Sequence, residues 1–244
     1  MPLQNRVTPF GEIVADPARG TLTGNRGILH VVEADGTRRL GPRRWTTTAW
    51  ICCTLDFRGR RRVPMSPGTW TELFFLDEAT ALAAGHRPCA TCRRADFEAF
   101  RAAVARGLDV SEPLRAPELD RRLHAERLTP PGASPRARRL WPMPVDAVPP
   151  GAMAAGVDRP GSTPGSTVDG PATAWLRTGT GWRRWGLSGY GPATEAERPG
   201  GPPVGSGGTV ALLTPPTVLA ALAGGYRPVL HATAGPDIAE TARP

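Results

Sequence analysis

The chain has 244 residues and a formal net charge of +8, and all 30 of its basic residues are arginine. This length suits one large domain or two small ones, since a domain usually takes roughly 100–200 residues. Its apolar content of 40% excludes a wholly disordered chain. The excess of positive charge indicates a polyanionic partner such as nucleic acid, although an arginine bias of the whole sequence is an equally good explanation.

The first third of the chain is predicted to form short strands. Apolar runs at 10–15 and 28–32 are followed by the hairpin signal Ala-Asp-Gly-Thr at 34–37. The segment 45–57 is rich in Thr, Trp, Ile and Cys, which predicts a long strand, and 69–76 predicts another.

Four helices follow from apolar spacing and capping signals, at 78–84, 96–106, 118–128 and 216–223. Asp77 is expected to cap the first of them, and Gly85 is expected to end it. The sequence motif that ends this helix, at 81–89, recurs in similar form at 221–229. The recurrence is either a common helix-stop signal used twice or a sign of two related units.

These elements predict an α+β protein in which a small β-rich, zinc-binding domain with short helices precedes a second small β-rich unit. The predicted boundaries are 1–128 for the zinc-binding domain, 129–171 for a Pro/Gly-rich linker or long loop, 172–233 for the second unit and 234–244 for a tail.

The sequence predicts a cytoplasmic protein without a membrane span. No apolar run approaches the ~18 residues of a transmembrane helix, and the N-terminal residues do not resemble a signal peptide. In that reducing compartment, four cysteines indicate a metal site or catalysis before they indicate disulfides.

Cys89 and Cys92 form a C-x-x-C motif, whose spacing lets two thiolates reach one metal ion from a tight turn. The flanking residues Arg87, Arg93 and Arg94 are expected to lower the pKa of both thiols. A redox-active pair is the alternative, but that motif usually opens a helix after a central strand. Here the motif follows a helix and a proline, which favours the metal.

A tetrahedral zinc site needs two further ligands, and Cys52 and Cys53 are the other cysteines. Adjacent residues of a regular strand point to opposite faces, so the strand offers one of the two unless a bulge presents both. His86 is a candidate for the fourth ligand. The alternative is that Cys52 and Cys53 are small buried residues of a strand.

Residues 78–92 resemble the end of the metal-binding domain of the Ada DNA-repair proteins. That domain has a similar helix followed by Gly, an aromatic residue and Arg-Pro-Cys-x-x-Cys, and the resemblance extends over about 45–94. It implies one zinc ion held by four cysteines, with Cys89 and Cys92 as ligands and Cys52 or Cys53 supplying the upstream ligation.

Two features of the Ada pattern are missing from this sequence. The upstream cysteines are adjacent where the Ada pair is spaced by three residues, and the Pro-Cys-His-Arg motif that accepts a methyl group from a DNA phosphotriester is absent. The methyl-transfer activity is therefore not carried over. The stretches 2–11 and 24–27 also resemble a bacterial protein family to which no activity can be assigned.

The leading functional prediction is a zinc-dependent nucleic-acid binding protein, with DNA as the partner and DNA-damage handling as the process. The residues predicted to contact phosphates are Arg58, Arg60, Arg61, Arg62, Arg93 and Arg94. One alternative is an enzyme acting on nucleic acid through a zinc-activated cysteine or an open zinc site; another is a structural zinc module for protein contacts. Four sulfurs on the ion indicate a closed site, whereas three protein ligands leave a position for chemistry.

Overall fold

The computed structural model describes residues 1–59, 62–127, 138–156, 173–196, 201–205 and 207–235. In this part of the chain it is a strand-rich α+β fold with a few short helices, as the sequence predicted. No helix in the described ranges has the length and apolar character that crossing a membrane requires.

The N-terminal part forms one six-stranded sheet and a separate hairpin. Its strands are β1 (Gln4–Val7), β2 (Ile13–Ala15), β3 (Leu22–Asn25), β4 (His30–Val32), β5 (Arg38–Leu40), β6 (Ile51–Thr54), β7 (Leu73–Phe75) and β8 (Arg87–Pro88). The sheet order is β2-β1-β7-β3-β6-β8, while β4 and β5 pair with each other at the predicted hairpin. The long strand predicted at 45–57 is confined to its centre, β6.

A second six-stranded sheet is built from the C-terminal part. Its strands are β9 (Trp141–Pro144), β10 (Met153–Gly156), β11 (Thr173–Thr178), β12 (Gly181–Gly186), β13 (Gly189–Thr194) and β14 (Thr209–Leu212), in the order β13-β12-β11-β10-β14-β9. All of its pairings are antiparallel.

The predicted linker at 129–171 needs correction where the structure describes it. Residues 138–156 contain β9 and β10, and β10 lies inside the second sheet between β11 and β14. Its four residues, Met153 and three small ones, are all buried, so this Pro/Gly-rich stretch contributes to the core instead of spanning solvent. The rest of the predicted linker, at 129–137 and 157–171, and the tail from 236 onward lie outside the described residues.

Four α-helices accompany the sheets: α1 (Glu78–Ala83), α2 (Arg94–Gly107), α3 (Ala116–Arg127) and α4 (Pro216–Ala223). Each lies within a few residues of its predicted position. Asp77 caps α1 as predicted, since its carboxylate accepts the backbone N–H of Thr80 at 2.9 Å.

Helix α1 joins the two sheets. All six of its residues are buried, and residues in and beside it belong to each of the three apolar clusters of the described chain. Leu82 packs with residues of α2, α4 and the second sheet, whereas Ala81 packs with Cys52 and Phe75 of the first sheet. The elements that the sequence divided between two units therefore share a continuous core around α1.

Candidate metal centre

The strand β6 presents Cys52 and Cys53 to opposite faces of the first sheet. Cys53 pairs with Thr23 of β3, and Thr23 pairs in turn with Phe74 of β7, so these three side chains share one face. Cys52 points to the other face, where it is fully buried against Leu73 and Phe75. The alternation of a regular strand thus separates the two cysteines, as the sequence indicated.

The C-x-x-C turn is placed beside Cys53 by the short strand β8. Pro88 pairs with Cys52 across the parallel β6–β8 ladder, and the backbone N–H of Cys89 donates to the carbonyl oxygen of Cys52 at 2.9 Å. The chain then turns into α2, and the N–H of Thr91 donates to the Sγ of Cys89 at 3.4 Å. Such N–H···S bonds stabilise a thiolate in a metal-binding turn.

Three sulfurs converge at this point. The Sγ atoms of Cys53, Cys89 and Cys92 all lie within 4.8 Å of one another, and all three residues are free cysteines. A tetrahedral zinc site with Zn–S bonds of about 2.3 Å places its sulfurs roughly 3.8 Å apart. The donor set and its spacing therefore fit one thiophilic metal ion, and the third sulfur favours this over a simple redox pair.

The three thiols are close enough to one another to shift each other's pKa. A bond from the Cys53 thiol lowers the pKa of Cys89 to about 4, and the backbone N–H groups of Thr91 and Cys92 add to this effect. The same bond, with burial, raises the pKa of Cys53. Burial also raises the pKa of Cys92, against a backbone bond from Thr54. Cys89 is thus the thiol that ionises first.

The cluster opens onto a cavity of about 870 Å³. The face of the sheet that carries Cys53 forms one wall, and the loop after β6 contributes another. The lining of the cavity includes Cys53, Cys89, Cys92, Asp56, Phe57, Arg62, Trp70, Glu72 and Phe74. Three protein ligands beside such a space leave one side of a bound ion accessible.

Cys52, a candidate ligand from the sequence, lies outside the cluster. Its Sγ accepts a hydrogen bond from the guanidinium of Arg93 at 3.2 Å, and the same guanidinium pairs with Glu78 and Asp96 at 2.9 Å each. Burial raises the pKa of the Cys52 thiol, and the nearby Glu78 carboxylate raises it further. Cys52 is therefore a buried neutral thiol behind the sheet.

His86, the predicted fourth-ligand candidate, is also directed away from the cluster. It is fully buried, and its Nε2 accepts a hydrogen bond from Arg26 at 3.2 Å while its ring packs against Trp50 and Phe75. Burial, with the charge of Arg26, keeps the pKa of His86 well below its usual value. The imidazole is a neutral core group.

The predicted phosphate-binding arginines divide into three groups. Arg58, Arg62 and Arg94 are exposed, and the guanidinium of Arg62 lies 4.1 Å from the ring centroid of Trp70. Arg93 is buried and fully engaged by carboxylates and Cys52, so its assignment as a phosphate contact was wrong. Arg60 and Arg61 lie outside the described residues.

Sequence reasoning missed Glu72. This residue is only 8% exposed and lines the cavity. It stands two positions before Phe74, so strand alternation places it on the same face as Phe74 and Cys53. That alternation is the signal that could have indicated an acid on the same face of the sheet as Cys53.

No protein-family model matches this sequence, and no curated protein and no solved structure is significantly similar to the chain.

Proposed function

We propose that the protein binds one zinc ion through Cys53, Cys89 and Cys92 and uses the open side of that ion to engage a ligand in the adjacent cavity. The observation that carries this proposal is the position of the three sulfurs, within 4.8 Å of one another at the wall of a cavity of about 870 Å³. The side chain of Cys52 faces the core. It could become a fourth ligand only if β6 turned its opposite face toward the cluster.

A zinc ion held by three thiolates supplies a Lewis-acidic position at which an electron-rich group of a ligand can be bound and polarised. The chain itself supplies the shape and the surroundings of that position. Phe57, Trp70 and Phe74 provide apolar walls that limit access of water, and the cavity admits a ligand of small-molecule size. This arrangement favours the predicted open-site alternative over a closed, purely structural zinc module.

The resemblance to the Ada metal-binding domain supports part of this proposal. It implies Cys89 and Cys92 as ligands with an upstream cysteine, and Cys53 is the upstream residue whose sulfur lies next to theirs. An Ada site has four cysteine ligands, so the present proposal differs from it in the fourth position.

Metal analysis of the purified protein tests the proposal. We expect about one zinc per chain, and we expect a strong chelator to remove it and to lower the melting temperature, because binding to the folded state alone stabilises that state. Re-addition of zinc should restore both. Protein that is free of metal as purified, binds none on titration and melts at the same temperature with and without zinc would contradict the proposal.

A nucleic-acid partner is the second candidate. The observation that favours it is the exposure of Arg58 and Arg62 in the loop after β6, where Arg62 lies over the ring of Trp70 and Arg58 over the ring of Phe57. Arginine can contact phosphates, and aromatic rings can stack on unpaired bases. DNA-damage handling would then be the process in which an open zinc site acts on a strand laid across the cavity.

Replacing Arg58 and Arg62 together by alanine tests this candidate. If both contact phosphates of a duplex, the double variant should bind all sequences more weakly and flatten the slope of log affinity against log salt by about 0.9 per lost contact. Arg121→Ala, an exposed arginine on α3, is the control and should leave the slope unchanged. An identical slope in the double variant and the parent would assign the two arginines to surface solvation.

A further inference from the structure

The sulfur cluster has three donors and, in the part of the chain that the structure describes, no fourth. The Sγ atoms of Cys53, Cys89 and Cys92 lie within 4.8 Å of one another, and no imidazole or carboxylate of the described residues is equally close to all three. A fourth protein ligand of a tetrahedral ion would lie roughly 3.8 Å from each sulfur, so it would belong to this group. The protein therefore supplies a donor set for a centre with three protein bonds.

Three thiols without a fourth donor suit a soft centre that is complete with three bonds. Thiolate sulfur is a soft ligand and selects soft, thiophilic centres. Zinc usually takes four ligands, so in this site it has to recruit one from the cavity. Trivalent arsenic forms three bonds and keeps a lone pair of electrons in the fourth direction, where it needs no ligand. Three bonds of about 2.3 Å to one centre put the sulfurs roughly 3.3–4.0 Å apart, which agrees with the spacing of these thiols.

The charges around the cluster also favour a trivalent centre. Three thiolates carry three negative charges, so a divalent ion leaves one negative charge in excess, whereas trivalent arsenic leaves the complex neutral. The described charged residues that line the cavity are two acids, Asp56 and Glu72, and one base, Arg62. The rings of Phe57 and Phe74 make the rest of the wall partly apolar. A neutral complex is less costly than a charged one in such surroundings.

We propose that the site also binds trivalent arsenic through the sulfurs of Cys53, Cys89 and Cys92, and that arsenic displaces zinc from it. Arsenous acid, As(OH)₃, condenses with three thiols: three As–S bonds form, three As–O bonds break, and three water molecules leave with the thiol protons. Where zinc occupies the site, Zn²⁺ leaves and the three protons come from solvent. No atom is oxidised or reduced. This inference rests on the three-sulfur site proposed above and adds a second class of ligand, a three-coordinate thiophilic metalloid.

Mass spectrometry under native conditions counts the thiols that bind, with sodium arsenite as the probe and the full-length protein reduced by a phosphine. Three As–S bonds add one arsenic atom and remove three hydrogen atoms, whereas two bonds remove two hydrogen atoms and leave a hydroxyl on the arsenic. The parent protein should show the three-bond mass. Cys52→Ser is the matched control and should show it too, because the Cys52 sulfur is held by Arg93 on the opposite face of the sheet.

Cys53→Ser should lose the three-bond mass and show the two-bond mass or no adduct. It should also need at least about tenfold more arsenite than Cys52→Ser for half-saturation, because one of three bonds to a soft ligand is lost. Zinc release tests the preference for arsenic. Arsenite added to the protein as purified should free about one zinc per arsenic bound, recorded with a coloured zinc indicator, since both use the same sulfurs.

The outcomes separate this inference from the zinc proposal. Zinc-containing protein that forms no three-bond adduct overturns the arsenic inference and leaves the zinc site standing. An adduct that forms only on zinc-free protein, with zinc retained in excess arsenite, overturns the displacement. Protein that binds no zinc but gives the three-bond mass supports the arsenic inference and contradicts the zinc proposal. If Cys53→Ser does not fold, the parent protein and Cys52→Ser decide the question, and a two-bond mass in either overturns the inference.

Discussion

Cys53→Ser, Cys89→Ser and Cys92→Ser should each abolish tight zinc binding, whereas Cys52→Ser should retain about one zinc per chain. The first three residues place their sulfurs within 4.8 Å of one another, while the Cys52 sulfur is held by Arg93 on the opposite face of the sheet. A three-thiolate site that loses one thiolate keeps two protein ligands, which is too few for a stable zinc site. Zinc per chain, measured on dialysed protein, should fall from about one to near zero.

The three ligand variants should also lose stability, whereas Cys52→Ser should lose little. Zinc binds the folded site and not the unfolded chain, so losing the ion removes a stabilisation of the folded state that grows with the zinc concentration relative to Kd. We therefore expect a clear drop in melting temperature for the three ligand variants in the presence of zinc. With chelator present, these variants and the chelated parent should melt at similar temperatures, because none of them then has the ion.

Cys52→Ser is the control within the same dipeptide. Serine keeps an acceptor for the Arg93 guanidinium, and the removal of one buried sulfur should cost about 1–2 kcal/mol without loss of metal. A variant series in which Cys52→Ser loses zinc while Cys53→Ser keeps it would reverse the assignment of the strand faces and would contradict the proposed site.

The helix end that precedes the C-x-x-C turn could be predicted from the sequence, because it depends on neighbouring residues alone. The end of α1 follows the expected helix-stop signal: Gly85 has φ of 89°, and the N–H groups of Gly85 and His86 bond to Leu82 and Ala81. The similar sequence at 221–229 ends α4 with the same pattern of backbone hydrogen bonds, and Gly225 there has a φ of 96°. A glycine at this position and a proline soon after it dictate the turn, whatever surrounds it.

Strand alternation was also sufficient to separate Cys52 from Cys53, but not to choose between them. The choice depends on which face of β6 lies against the core, and that is decided by Leu73 and Phe75 of β7, far away in the sequence. His86 illustrates the same limit. Its spacing from Cys89 suits a shared ligand set, yet its side chain accepts a hydrogen bond from Arg26 and packs against Trp50. Both partners are distant in the sequence, so the local pattern around His86 could not predict these contacts.

Composition misled the interpretation of 138–156. Proline and glycine usually mark loops, but the small residues of β10 are what a central strand needs when neighbouring strands and helices pack closely on both faces. Their burial comes from the second sheet and from α1 and α4, elements that are distant in the sequence. Arg93 differs from its neighbour Arg94 for a similar reason, because the buried carboxylate of Glu78 lies within reach of Arg93 alone.

Arg93→Ala should lower the free energy of unfolding by about 3–5 kcal/mol, since it leaves a buried carboxylate without its counter-charge. The Arg93 guanidinium bonds Glu78, Asp96 and Cys52 at once, and the Glu78 side chain is fully buried. Glu78 also accepts the hydroxyl of Tyr226 at 2.6 Å, so the network connects α1 and α2 to the segment that follows α4. Urea unfolding in excess zinc measures the effect with the metal site filled.

Arg94→Ala is the matched control because it removes the same charge from the adjacent, exposed position, and it should change stability by no more than about 0.5 kcal/mol. Glu78→Gln combined with Arg93→Met should be less destabilising than the sum of the two single changes, because the pair of changes removes both buried charges together. Equal stabilities for Arg93→Ala and Arg94→Ala would show that Glu78 does not need Arg93. A purely additive double variant would show that the two side chains do not interact.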